Sequence, residues 1–128
     1  MSRRTDRLAN VLVLQEKLKQ LHETRQAMHT ANARFAAEEA EDVVKAFNAE
    51  GSLASVFPEV YHARVASATA AKQHHLANAH VEGLRVAKAS ARVDVVAREV
   101  GISRRADERA AEERDRTEAL SRQPAKPK

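Results

Sequence analysis

No cysteine occurs in this chain, which excludes a disulfide framework and any thiolate metal site. Glycine and proline number three each, far too few for the tight turns of a β-sandwich or barrel. Only four aromatic residues are present, three Phe and one Tyr, so there is little to stack on bases or to fill a thick core. Long hydrophobic runs are also missing. The stretch from Leu8 to Leu14 is interrupted by Asn10 and too short to span a bilayer, and the N-terminus lacks the small-residue cleavage site of a signal peptide. The expected location is cytoplasmic.

What remains is helix-forming material. Hydrophobic residues make up 43% of the 128, but 26 of those 55 are Ala, with nine Leu and one Ile. Alanine favours helix while adding little buried area. Together with 31% charged residues, this is the composition of long helices packed pairwise rather than of a layered fold.

Punctuation divides the chain in two. Nothing breaks a helix from residue 4 to 49, and Gly51 stands where a helix C-cap uses it. Pro58 is placed to open the next helix, which runs to residue 122, before Pro124 and Pro127. The spacing therefore predicts an all-α, two-helix antiparallel coiled-coil hairpin: helix 4–49, turn 50–57, helix 58–122, and a disordered tail at 123–128. The hairpin is read as a single domain with a charged C-terminal overhang.

A heptad runs through the first helix. Val11 and Leu18 occupy one position, and Leu14, Leu21, Met28 and Phe35 the other. Apolar residues every three or four positions keep one stripe turned toward a partner helix. Beyond Phe35 the heptad meets Glu39 and Asp42, and the apolar residues shift to Ala36, Ala40, Val43 and Phe47, as in a stutter. On the second helix Leu76, Ala79, Gly83, Val86, Ser90, Val93, Ala97 and Val100 share one spacing, and a bend near Gly101 is expected. With the turn at residues 53 and 54, Leu14 should face Val93, Leu21 should face Val86, and Arg4 should meet Ser103. Val60, Tyr61, Val65 and Ala68 should pack on Val43 and Phe47. Residues 104–122, with six basic and six acidic side chains, would project past the first helix, with Glu112 and Arg116 at ion-pair spacing.

Sites of chemistry are scarce. The six histidines do not form a metal set: His74 and His75 are adjacent and point about 100° apart on a helix, and His22 and His29 lie a full heptad apart. There is no nucleophile elbow and no Gly-rich phosphate loop. An enzyme is not expected, nor a cofactor or small-molecule substrate. A net charge of +4, interleaved with acids, argues against nucleic acid.

The opening Arg7-Leu8-Ala-Asn-Val-Leu-Val-Leu-Gln-Glu-Lys-Leu, the break at Gly51, and the ending Arg104-Arg-Ala-Asp-Glu-Arg-Ala-Ala-Glu-Glu-Arg resemble the FliJ-type proteins of bacterial flagellar export and their type III secretion counterparts. The resemblance implies a cytoplasmic coiled-coil stalk, peripheral at the inner-membrane export apparatus. Such a stalk binds and stimulates a hexameric export ATPase, links it to the membrane export gate, and handles export chaperones. The tip left unpartnered by the register would then carry the partner-binding residues: Arg3, Arg4, Arg7 and Leu8, with Arg109, Arg114 and Arg116. The alternative is a self-associating coiled-coil scaffold or adaptor with no ATPase partner.

Overall fold

The computed structural model describes residues 2–122; the tail expected at 123–128 lies outside the described residues. Two helices account for nearly all of it, α1 (Arg3–Asn48) and α2 (Pro58–Ser121). Among the described residues there is no strand. The protein is an all-α helical hairpin.

The ends of the helices follow local chemistry. Ser2 caps α1: its Oγ accepts a hydrogen bond from the Thr5 amide at 3.2 Å, satisfying one of the donors a helix start leaves open. Asn48 ends α1, and Gly51 takes the left-handed conformation, φ +73°, that a side chain would resist. The Ser52 hydroxyl donates back to the Phe47 carbonyl at 2.9 Å, and the amides of Val56 and Phe57 both reach the Leu53 carbonyl. Ala54 is buried beneath this turn. Pro58 then starts α2, where its missing N–H costs nothing. The helix continues unbroken through Gly83 and Gly101.

The chain divides into two compact units, each with a stretch of both helices. One combines residues up to Lys17 with those from Ala89 onward; the other is Leu18–Lys88. In the first unit Thr5 meets Ser103, while Gln15 lies in a hollow with Ala91, Val95 and Val96, so the two stretches run antiparallel. Its buried apolar residues are Ala89 and Val100. In the second unit His22 meets Glu82, and the Phe47 and Tyr61 rings pack edge to face at 5.7 Å. Its core is thin: Ala33, Ala36, Val43, Ala68 and Ala79 are buried, with Phe47 and Val65 half-buried beside them. Small residues let the backbones approach closely. At Gly83 a Cβ would stand 2.9 Å from the Gln26 amide nitrogen, so that glycine makes room for Gln26.

The period expected for α1 holds; the phase holds at Ala36, Ala40, Val43 and Phe47 and fails from Val11 to Phe35. Residues shielded by α2 are Thr5, Leu8, Leu12 and Gln15 in the first unit, and Lys19, His22, Gln26, His29, Ala33, Ala36, Ala40, Val43 and Phe47 in the second. This is an unbroken alternation of three and four, so the stutter expected after Phe35 does not occur. Of the expected seam only Leu18 is half-buried; Val11, Leu14, Leu21, Met28 and Phe35 are exposed. Leu14 facing Val93 and Leu21 facing Val86 are thus corrected: the inward residues next to them are Gln15 and His22. Opposite, Ala79, Val86, Val93 and Val100 do face inward, whereas Leu76 and Ala97 are exposed, as is Val60. The pairing of the ends is close to expectation, with Thr5 rather than Arg4 at Ser103.

Candidate functional site: the outer stripe of α1

Polar pairs fix which face of α1 turns inward. Glu82 is 5% exposed, and burying a carboxylate without partners is costly. Both its oxygens are satisfied. His22 donates from Nδ1 to Oε2 at 2.8 Å, and Arg85 donates to Oε1 at 2.8 Å. Burial pushes the Glu82 carboxyl up, but the hydrogen bonds and charges of His22 and Arg85 outweigh it and hold its pKa below the usual value.

A second set of polar pairs closes the other unit. Thr5, fully buried, sits between Ser103 and Asp107 and donates to Asp107 Oδ2 at 2.6 Å. The Ser2 amide donates to the same oxygen at 3.0 Å. These hydrogen bonds, from Thr5 first and then from Ser2, hold the Asp107 carboxyl below its ordinary pKa. Sequence reasoning missed both clusters. The available signal was a polar stripe, Gln15, His22, Gln26 and His29, with a sustained period of three and four.

With that face turned inward, most of the large apolar side chains between Val11 and Phe35 are left outside, while Leu8, Leu12, Val43 and Phe47 face α2. Val11, Leu14, Leu21, Met28 and Phe35 recur at heptad spacing on one flank, and Phe35 is 73% exposed. This stripe lies about 100° around the helix from the inward one, by the 3.6-residue turn. Scattered exposed leucines need no explanation, but a periodic row of them does. Arg4 and Arg7 continue the same row toward the N-terminus, and Glu39 and Asp42 continue it toward the turn; all four are exposed.

The residues expected to bind a partner at the tip fare unequally. Arg3 and Arg7 are exposed, and Arg4 reaches Glu99 of α2 at 3.8 Å. Leu8 is half-buried on the inward face. Arg109 and Arg114 are exposed, and Arg116 pairs with Glu112 at 3.9 Å, both of them largely in solvent. The overhang expected from residue 104 begins later, because Asp107 is tied to Ser2 and Thr5 and Ala111 is still half-buried; residues 112–122 are exposed throughout.

Buried nitrogens at His29 Nδ1 and His75 Nδ1 have no hydrogen-bond partner. No group of three or more metal-ligating side chains comes together among the described residues, and no described helix is long and apolar enough to cross a membrane. Set against family models, curated proteins and solved structures, the chain matches none.

Proposed function

We propose that the protein is a non-enzymatic coiled-coil adaptor that holds a partner protein along the outer stripe of α1. The observation that carries this reading is the displaced heptad. Between Val11 and Phe35 the chain places mainly polar and small residues on its own seam and presents Val11, Leu14, Leu21, Met28 and Phe35, at coiled-coil spacing, to the outside. A row of that period is complementary to another helix and to little else.

Photo-crosslinking residues placed singly at Leu14, Leu21 and Phe35, in the full chain at its native concentration, test the reading. Protein adducts of defined mass should form at all three positions and not at Arg98, an exposed position on α2. No adduct at any of the three overturns it.

A second reading, a stalk of a flagellar or related type III export ATPase, is supported by a different feature. Past Ala111, α2 runs on with mixed charge and no α1 residue opposite, and such a helix end suits a polar ring pore. On that reading the ATPase and the export gate are the partners, and stimulation of ATP hydrolysis by the full chain but not by a chain ending at residue 111 is the test.

A further inference from the structure

The outer stripe of α1 matches itself when run backwards. In order along the helix it reads Arg4, Arg7, Val11, Leu14, Leu18, Leu21, Arg25, Met28, Asn32, Phe35, Glu39 and Asp42: two bases, a middle that is apolar except for Arg25 and Asn32, and two acids. A second copy laid antiparallel about a two-fold axis beside Glu23 places Arg4 opposite Asp42, Arg7 opposite Glu39, Val11 opposite Phe35, and Leu18 opposite Met28. Leu14 then lies opposite Asn32, and Leu21 beside the aliphatic stem of Arg25. Every charged end meets its opposite, and each contact occurs twice, as an isologous interface requires.

We infer that the partner on this stripe is a second copy of the chain, paired antiparallel along α1. The inference rests on the adaptor reading and names its occupant. Charge chooses the orientation. A parallel pair in register would set Arg4 and Arg7 against themselves and Glu39 and Asp42 against themselves, and like charges across a seam select against that arrangement. Asn32 contributes in the same sense, since a polar residue in an apolar row fixes register at some cost in stability. Arg4, which also reaches Glu99, keeps most of its side chain in solvent and remains free to take a second carboxylate. The apolar side chains involved are exposed in the single chain, with Leu18 at the edge of the inward face.

The absence of native cysteine makes the test clean. Leu18→Cys and Met28→Cys are made separately in the full chain and oxidised alone and mixed. Antiparallel pairing yields a disulfide-linked dimer only in the mixture, whereas a parallel pair links each variant to itself. Sedimentation equilibrium gives the second arm. Arg4→Glu with Arg7→Glu should raise the dimer Kd about tenfold or more, and adding Glu39→Arg and Asp42→Arg to the same chain should restore it, with helicity equal in all forms. Self-linked single variants, or charge reversal without rescue, overturn the antiparallel pairing. A chain that stays monomeric to about 100 μM, yet still crosslinks a different protein through Leu21 and Phe35, overturns the self-pairing while leaving the adaptor reading standing. Monomer without crosslinks ends both.

Discussion

Glu82 is a buried acid in a chain whose interior is otherwise mostly alanine and valine. Its carboxylate is held by His22 from α1 and Arg85 from its own helix, and the charged form is favoured despite burial. The pH dependence follows from that direction. A carboxyl whose folded pKa lies below its unfolded value adds stability that is fully present above about pH 4.5, the ordinary value. That stability is lost as pH falls through the lower, folded value. Asp107 acts in the same sense from an ordinary value of 3.8. Thermal melts of the wild type should therefore hold their midpoint down to about pH 5 and fall below it toward pH 3. Glu82→Gln should melt several degrees lower at pH 7, because Arg85 loses its ionic partner and His22 the carboxylate it donates to, and should show a shallower decline in acid. Parallel declines for the two proteins would remove Glu82 from the account.

At the scale of the helix, α1 carries two stripes of equal period, and period alone cannot tell them apart. The sequence makes the length of both helices legible, together with the turn after Gly51 and the antiparallel pairing, because these rest on local punctuation and on counting. The inward face of α1 was legible from Ala36 to Phe47 but not from Val11 to Phe35, where hydrophobicity pointed to the greasier stripe. Turning Leu21 inward would have set an aliphatic side chain near Glu82 and left that carboxylate without His22; turning Leu8 outward would have carried Thr5 away from Ser103 and Asp107. Polar pairing across the seam decides the phase, and it depends on both helices at once.

The candidate binding residues divide for the same reason. The exposed arginines could be read from charge, whereas Leu8 and the binding row itself depended on the phase. The two stripes can be separated by measurement. At chain concentrations low enough to keep the protein monomeric, Phe35→Ala should change unfolding free energy by less than about 0.5 kcal/mol, as surface substitutions do. Val43→Ala, at a position 6% exposed, should cost about 2 kcal/mol through lost burial and the cavity left behind. Urea unfolding followed by circular dichroism reads both, and a Phe35 effect equal to that of Val43 would return the outer stripe to the core.

Taken as a whole molecule, the hairpin has little to spare. Among the described residues its buried apolar side chains are five alanines and two valines, aside from the turn alanine, so polar contacts at the ends of the packing count for more than they would in a deep core. The N-terminus shows where this matters. Ser2 and Thr5 are anchored on Asp107, while residues 112–122 touch solvent on every side. Up to Ser121 they stay helical, with charge pairs such as Arg116 with Glu112 and Arg122 with Glu118, each exposed and so worth little. Two truncations should then behave differently. A chain ending at residue 111 keeps Asp107 and should melt within about 2 °C of the full chain, since surface segments of this kind contribute little. A chain ending at residue 103 loses the carboxylate, leaves the buried Thr5 hydroxyl with only Ser2 and Ser103, and should melt several degrees lower. Hydrogen exchange locates the loss: amides in the first turns of α1 should exchange faster in the shorter chain and at the wild-type rate in the longer one. Equal melting of the two truncations would mean that the first turns of α1 are held by Leu8 and Val100 without help from Asp107.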